Sequence, residues 1–440
     1  MDLNAIYLRT KFWINDYLKG SPIGKPYNEV KYIQEHSYEE GLPIRTRALH
    51  NLMDYARTNT PFYKDVKGYE LKDFPIMNKA SLIEHYDEIR IDENIIPGQQ
   101  GKVHIQTTSG STGTPFKIPQ DTKKRFRRVA ELKYFGKIAG FRTHDKLIHL
   151  RTWNRWQQKT AKQIKSENII PFDIARLADE DFKRLCELII TSKTVCLRGY
   201  ASSLGKLAEY ADGKGYDFSS LRLAIAGAES LQDDVRAIFK RVMGADILSQ
   251  YANEECGILA QERVPTKVTD NPMYWNYASY FFEVLKFDSD EPAEYGELGR
   301  IVITDLYNYA FPLIRYDNGD TAVILPPDEH SNGYYVLGKL YGRRFDLTYT
   351  TDGTAIHPLT YGRILKHYEN IMQWQFIQEN QNEYVLKVIM RGDASNLPLI
   401  VEQLKEPLGR DANIRIEEVD DIPVLASGKR KPVVNNWKSN

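Results

Sequence analysis

Between residues 146 and 248 the sequence alternates short apolar runs with amphipathic stretches, and this alternation constrains the fold more than any other feature. The runs fall at residues 146–150, 194–197, 221–226 and 246–248, with helical patterns between them at 180–188 and 233–242. Strands alternating with helices predict α/β layers around a largely parallel sheet. Residues 1–100 read as mostly helical, broken by polar turns such as Lys19-Gly20-Ser21-Pro22. After about Tyr274 the pattern changes to short strands separated by turns, at 280–285, 299–304, 321–325 and 333–337, which predicts a smaller β-rich subdomain. The last hundred residues mix strands at 383–389 and 413–417 with a helix at 396–406, a compact α+β module. No internal repeat or low-complexity tract interrupts the chain.

The chain has 440 residues, enough for two or three units and a large core without staples. Lys plus Arg total 59 and Asp plus Glu total 59, so no global charge favours nucleic acid or an anionic membrane. The basic run Lys123-Lys124-Arg125 with Arg127-Arg128 reads as a solvated helix face. Three cysteines, Cys186, Cys196 and Cys256, form no CxxC pair, which argues against structural zinc and fits buried thiols in a reducing, cytoplasmic compartment. The first twenty residues lack the apolar core of a secretory signal, and no stretch is long enough to span a bilayer. Leu3, Ile6, Tyr7, Phe12 and Trp13 form one helical face, read as docking onto its own domain, with peripheral membrane contact as the minority reading.

The strongest local signal is Thr107-Thr108-Ser109-Gly110-Ser111-Thr112-Gly113-Thr114-Pro115. It follows a strand-like segment at 103–106 and precedes a helix-compatible stretch from Thr122 to about Ala139. Glycines let the backbone turn tightly and approach an anion, while N–H groups and hydroxyls donate to phosphate oxygens. The loop lacks the GxxxxGK[ST] pattern of a Walker A motif. Read alone, a Ser/Thr/Gly run is more often a plain loop; its position after an apolar strand and before a helix brings the functional reading level with that.

This segment resembles the phosphate loop of the adenylate-forming superfamily, which includes acyl-CoA synthetases, peptide-synthetase adenylation domains and firefly luciferase. Further segments match that family's pattern in order. Ala226-Gly227-Ala228-Glu229 resembles its adenine-side turn, and Tyr251-Ala252-Asn253-Glu254-Glu255 its YxxxE motif. Residues 308–320, NYAFPLIRYDNGD, resemble the ribose-binding strand and turn. Gly342-Arg343-Arg344-Phe345-Asp346 resembles the inter-domain hinge, and Ser427-Gly428-Lys429 the C-terminal catalytic lysine motif. Within the superfamily the wording is similar to the phenylacetate–CoA ligase family, and the tail SGKRKPVVNN to its capsular-polysaccharide (CapK-like) branch.

The resemblance implies a large N-terminal adenylation domain over residues 1–344, built of layered sheets and helices with a β-rich subdomain. It also implies a small mobile α+β domain over 345–440. Thr108, Ser109, Gly110, Ser111, Thr112 and Gly113 would cradle the ATP phosphates. Gly227, Ala228 and Glu229 would flank adenine, and Tyr251 would stack on it. Glu255 would hold Mg²⁺, a hard cation suited to carboxylate and phosphate oxygens. Asp320 would accept from the ribose hydroxyls, and Arg343 would add a cationic contact near ribose or phosphate. Lys429 would stabilise charge at the reacting carboxylate and α-phosphate. Gly353, in the loop after the hinge, would line an acceptor tunnel. The implied activity is ATP-dependent activation of a carboxylic acid, then acyl transfer to CoA or to an amine on a sugar, in a setting of capsule or surface polysaccharide synthesis.

Each assignment has an ordinary alternative. Tyr251 reads also as a core tyrosine, and Glu254-Glu255 as a solvated pair. Asp320 after Asn318-Gly319, and Asp352-Gly353, read also as turn chemistry. Arg343 and Lys429 read also as surface cations. Two positions depart from the family pattern: Phe345 stands where the hinge usually carries Asp or Lys, and Thr114 where the loop usually carries Lys, with Lys117 a nearby substitute. Tyr134, Phe135 and Tyr200 are acyl-pocket candidates by position, with core packing the alternative for each. These departures keep two rivals open: a non-catalytic nucleotide-binding scaffold of the same fold and, against the missing Walker lysine, a phosphotransferase.

Overall fold

The computed structural model describes residues 2–107, 116–153, 159–174, 178–287, 289–343, 348–356, 358–365, 367–368, 370–392, 394–422 and 433–437. In chain order its elements begin with helices α1 (Leu3–Leu18), α2 (Gly24–Glu35), α3 (Tyr38–Asn59), α4 (Lys79–Glu84) and α5 (Tyr86–Ile89). Strands β1 (His104–Thr107) and β2 (Lys117–Gln120) precede α6 (Thr122–Ile138). The alternating region follows: β3 (Leu147–Arg151), α7 (Ala161–Glu167), β4 (Ile169–Asp173), α8 (Asp179–Thr191), β5 (Cys196–Tyr200), α9 (Ala201–Ala211), β6 (Leu223–Gly227), α10 (Asp233–Met243) and β7 (Asp246–Asn253). Then come β8 (Gly257–Glu262), β9 (Met273–Trp275), β10 (Tyr280–Leu285), β11 (Leu298–Asp305), β12 (Tyr316–Leu325) and β13 (Val336–Arg343). The chain closes with β14 (Thr348–Tyr349), β15 (Ala355–Ile356), α11 (Pro358–Leu365), β16 (Ile371–Gln378), β17 (Glu383–Met390), α12 (Leu397–Leu408), β18 (Asn413–Glu418) and β19 (Val433–Asn435).

Two compact units emerge. One comprises Met1–Gln106, Ile118–Asn318 and Ala322–Leu340; the other comprises Thr107–Lys117, Gly319–Thr321 and Tyr341–Asn440. Eleven strands form one sheet in the order β10-β11-β12-β13-β9-β8-β7-β6-β5-β3-β4. The four expected strands, β3, β5, β6 and β7, are parallel neighbours, and β4, which the pattern did not mark, adds a parallel edge strand beside β3. The β-rich part after residue 256 continues the same ladder, because β8 returns antiparallel to β7 and β9 to β8. One expected strand starts later than its pattern implies. Asn332 and Gly333 take positive φ, Tyr334 N donates to Ser331 O, and the chain is extended only from Val336.

One face of the parallel strands is wholly apolar. Ile148, Leu150, Leu197, Ala224, Ala226 and Ile247 pack against Phe182, Leu185 and Ile189 of α8, Leu204 and Leu207 of α9, and Phe239 of α10. The spacing of three and four residues on each helix is what places these side chains on one stripe. Gly205 admits the close crossing of α9 and α10, since a Cβ there would lie 3.1 Å from both γ-methyls of Val235. At the far edge of the helical layer, Arg236 of α10 makes a buried two-pronged pair with Glu262 of β8, at 2.8 and 3.0 Å.

The basic run on α6 is not a solvated face. Lys124 and Arg127 are buried, together with Ala130, Glu131, Tyr134 and Phe135 of the same helix. Lys124 Nζ lies 2.6 Å from the Asp305 carboxylate and donates to Tyr280 Oη at 3.0 Å. Arg127 donates to Ser279 Oγ at 2.8 Å and pairs with Glu29 at 2.7 Å. The charges are buried because the sheet presents matching carboxylates and hydroxyls, a complementarity that a one-dimensional charge pattern does not carry. Tyr134 and Phe135 lie in a small core cluster with Val30, Ile33 and Ile258, so they are packing residues and not pocket walls. In α1, Phe12 and Trp13 pack, on His144 and Tyr27, whereas Leu3 and Tyr7 are exposed; the expected docked face is only its C-terminal half. All three cysteines are buried thiols. Among the described residues no helix is long and apolar enough to cross a membrane.

The second unit contains a four-stranded sheet, β18-β17-β16-β19, with β16 and β17 antiparallel and both edge strands parallel to their neighbours. Tyr361 of α11 and Ile400, Leu404 and Leu408 of α12 pack on Phe376, Leu386 and Val388.

Removing one partner of a buried ion pair leaves the other charge stranded, which costs about 3–5 kcal/mol, whereas replacing both with apolar groups is close to neutral. Lys124→Met is therefore expected to lower the thermal midpoint markedly, and Lys124→Met with Asp305→Leu to recover most of the loss. Calorimetry checks this; a single-variant shift under about 2 °C contradicts the pairing.

Candidate active site

Three of the sequence-marked segments lie in the first unit, and polar side chains tie two of them, at 251–255 and 308–318, to the β2–α6 junction. Asp121 caps α6 by accepting from Lys124 N at 2.9 Å, and its other oxygen accepts from Tyr309 N at 2.6 Å. Burial raises the Asp121 carboxyl above its ordinary value, against the lowering pull of those two backbone bonds. Asn308 Nδ2 donates to Pro119 O at 3.0 Å, so both residues that open the 308–320 segment are fastened to the β2–α6 junction. Gln120 Nε2 donates to Glu255 O at 3.0 Å, and Arg128 Nη1 to Glu254 O at 2.9 Å. Tyr280 Oη, which accepts from Lys124, donates in turn to Cys256 O at 2.8 Å.

Around these fastenings the marked side chains take up distinct positions. Glu254 and Glu255 part company: Glu254 is exposed and accepts from Gln106 Nε2 at 2.7 Å, while Glu255 is 8% exposed. The Glu255 carboxylate accepts from Tyr316 Oη at 3.4 Å. It is thus not one of a solvated pair. Tyr251 is also 8% exposed, and its hydroxyl accepts from Asn318 Nδ2 at 2.6 Å, joining the YxxxE segment to the 308–320 segment. The β7–β8 register shifts between Tyr251 and Ala252, a bulge that re-aims the strand there. Asp320 is half-buried on β12, two residues beyond Asn318.

The adenine-side turn follows β6. Gly227 ends the strand in register with Tyr200 of β5, and Ala228 has φ of 63°, a left-handed conformation unusual for a residue with a Cβ. The turn carries Glu229 back to the start of α9, where its Oε2 accepts from Ser202 N at 3.0 Å. A carboxylate at a helix N-terminus satisfies an otherwise open N–H and meets the positive end of the helix dipole. Glu229 therefore has a structural task that its motif alone did not reveal.

Tyr200, Gly227 and Tyr251 sit at or near the carboxyl ends of β5, β6 and β7, where open α/β sheets bind ligands. Strand order reverses between β3 and β5: β3 is followed by β4 on one side, and β5 lies on the other. On that sheet face Leu147, Cys196, Leu223, Ile225 and Leu248 pack with Ala139, Phe141 and Val264 in a small buried cluster. Beyond that cluster the same face turns polar. His149 and Arg198 are register neighbours, and Arg198 Nη2 donates to Gln250 Oε1. Burial, then Arg198, Arg151 and Lys159, push the His149 imidazole down to about 3. Tyr200 is half-buried on this face.

In the second unit Gly353 has φ of 91° in the tight turn between β14 and β15. Asp352 Oδ1 accepts from Thr354 N at 3.2 Å, and Gly353 N donates to Thr350 O at 3.0 Å. Turn chemistry accounts for both letters, and a Cβ at Gly353 would meet no heavy atom within 4 Å. Lys117 is exposed. Thr108, Ser109, Gly110, Ser111, Thr112, Gly113, Thr114, Phe345 and Lys429 lie outside the described residues, as does the side chain of Arg343, whose backbone ends β13. Among the described residues no three His, Cys, Asp or Glu gather as a metal-binding group.

Sequence reasoning missed Gln120, Asp121, Lys124, Asn308 and Asn318. Asp121 had a signal, as an Asp directly before a helical pattern; the other four act through long-range partners that no local pattern encodes.

Comparison with known proteins agrees with this architecture. A family model described as the CapK C-terminal domain matches residues 348–436. The chain is 21% identical over 429 residues to Protein CapK of Staphylococcus aureus, covering 94% of this chain and 92% of that one. It is 24% identical over 400 residues to phenylacetate-coenzyme A ligase of Escherichia coli strain K12, covering 85% of each. Its fold matches that of 2-hydroxyisobutyryl-CoA ligase in the postadenylation state in complex with R3-HIB-AMP. The TM-score is 0.69 at 16% identity, over 92% of this chain and 91% of that one. With these relatives, and with six motifs in the family's order, the chain is similar over most of its length to the phenylacetate–CoA ligase-like and CapK-like members of the adenylate-forming superfamily.

Proposed function

We propose that this protein is an AMP-forming acid ligase. It joins a carboxylic acid to ATP, giving an acyl-adenylate and pyrophosphate, and passes the acyl group to a second substrate with release of AMP. The observation that carries the reading is the fastening of residues 119–121, 251–256 and 308–318 into one polar network in the family's order. A scaffold has no need of Tyr251, Glu255 and Asn318 brought into this arrangement.

In this reading a carboxylate oxygen of the acid attacks the α-phosphorus, and the bond to pyrophosphate breaks. Residues 108–113 donate to the phosphates, Tyr251 packs on adenine beside the Gly227-Ala228-Glu229 turn, and Asp320 accepts from ribose hydroxyls. Mg²⁺ is usually held by one or two carboxylates together with substrate phosphates, which suits the buried and singly placed Glu255. When bound, the metal neutralises phosphate charge. Lys429, in the 345–440 module, offsets charge developing at the α-phosphate, and Arg343 contributes from the hinge side.

CoA is the acceptor named for the phenylacetate-coenzyme A ligases and supports thioester formation, with Gly353 beside the incoming thiol arm. The match of residues 348–436 to the CapK C-terminal domain favours a second version, in which an amine on a sugar intermediate of surface-polysaccharide synthesis takes the acyl group as an amide. Both versions fit a cytoplasmic enzyme, with peripheral membrane contact if the sugar is lipid-linked.

Pyrophosphate release with Mg·ATP across a panel of carboxylic acids is expected to depend on one class of acid. A CoA requirement for sustained turnover points to the thioester version, and an amino-sugar requirement to the amide version. ADP in place of AMP, or silence across the panel with ATP bound, contradicts the ligase reading.

Two substitutions test the roles. Lys429→Ala is expected to slow adenylate formation by about 10²–10³-fold with an unchanged thermal midpoint. Tyr251→Ala is expected to raise the KM for ATP by roughly threefold to tenfold, the worth of one aromatic contact. Steady-state kinetics with each variant checks both.

A further inference from the structure

We propose that the acid substrate of this site carries a second anionic group, read by Arg198 with Arg151 on the polar end of the parallel sheet. The inference rests on the ligase reading above and adds the substrate class.

Arg151, at the end of β3, and Arg198, on β5, share one sheet face, because both alternate with residues of the helix-covered apolar core: Ile148 and Leu150 on β3, Leu197 on β5. Both are half-buried, and no described carboxylate makes an ion pair or hydrogen bond with either guanidinium. Arg198 has one described hydrogen bond, to the neutral amide oxygen of Gln250. A guanidinium carries five N–H donors in a fork that fits a carboxylate or phosphate, so most of its capacity is open. Elsewhere in this unit, buried Lys124, Arg127, Arg236 and Arg315 each have an acidic partner within 2.9 Å, whereas buried Arg45 is held by Tyr277 O and the Tyr277, Phe281 and Tyr334 rings. Burial disfavours the charged form of Arg198, and an incoming anion would relieve that cost.

Tyr200, half-buried at the end of β5, shares this face. Trp153 stands at the rim, its indole N–H donating to His149 O at 3.3 Å, with Arg151 5.5 Å from its ring. His149, 5.4 Å from Trp153, is kept neutral by burial and then by the surrounding cations, so it adds no competing charge. Gln250, which receives Arg198, immediately precedes Tyr251, so the anion-reading end of the face adjoins the residue assigned to adenine.

The test is direct binding to the full chain by calorimetry, using matched acids that differ by one anionic group: succinate against butyrate, and isophthalate against benzoate. At least one dianion is expected to bind the wild-type chain about tenfold or more tighter than its match. Arg198→Gln is expected to erase that preference, a loss of roughly 10–100-fold for a charge-assisted contact. It should leave ATP affinity intact and the thermal midpoint unchanged or higher. Arg198→Lys, which keeps the charge without the fork, is expected to retain part of the preference. Equal binding of monoanions and dianions by the wild type overturns the proposal. So does preference surviving in Arg198→Gln, or loss of ATP affinity in that variant, which would assign the arginine to nucleotide phosphate. Dianion preference without pyrophosphate release supports the anion site and overturns the ligase reading alone.

Discussion

The Lys124–Asp305 contact, 2.6 Å long and sealed from solvent, is the interaction on which the arrangement of the first unit turns. Desolvating two charges offsets most of their attraction, so such a pair adds little net stability. What it fixes is register. Lys124 belongs to the first turn of the helix that follows the phosphate-loop segment, and Asp305 is the last residue of β11, three residues before Asn308. With those two points pinned, Asp121 can reach Tyr309 N and Asn308 can reach Pro119 O. Tyr280, bridging from Lys124 to Cys256 O, brings the YxxxE segment under the same constraint. The nucleotide-facing segments come from widely separated parts of the chain, and this buried polar hub sets them relative to one another.

The parallel sheet divides labour between its faces. One face is given wholly to apolar packing under α8, α9 and α10, and supplies rigidity. The other is apolar only at its base and becomes polar towards the carboxyl ends of the strands, where Gly227, Tyr251 and the arginines lie. A strained turn at Ala228 belongs to the same end. Left-handed backbone at a residue with a Cβ persists only where its surroundings over-determine it, and Glu229 bonding to the start of α9 is one such restraint.

Much of this was legible in the sequence. The strand–helix alternation marked four of the five parallel strands, with boundaries within a few residues, because burial on both sides forces a strong apolar pattern; the edge strand β4 went unmarked. The α+β character of the last hundred residues was equally clear. What escaped reading was pairwise. The basic run on α6 looked solvated because nothing local reveals that Asp305 and Glu29 lie opposite it. Glu254 and Glu255 are neighbours in sequence but differ in exposure, a distinction made by the turn at Asn253, whose side chain accepts from Cys256 N at 2.8 Å. Tyr134 and Phe135, pocket candidates by position for which core packing is the favoured reading, are core. Asn318 went unmarked because its worth lies in reaching Tyr251, a contact 67 residues away in sequence.

The central claim is that an oxygen of the acid becomes bonded to the α-phosphorus of ATP. Supplying the acid with ¹⁸O in its carboxylate and analysing the AMP by mass spectrometry tests it most directly. If the acyl-adenylate forms and is then consumed by an acceptor, the acyl carbon–oxygen bond breaks and one ¹⁸O remains on the AMP phosphate. AMP that carries no label, or label found only in other products, contradicts adenylation by this protein.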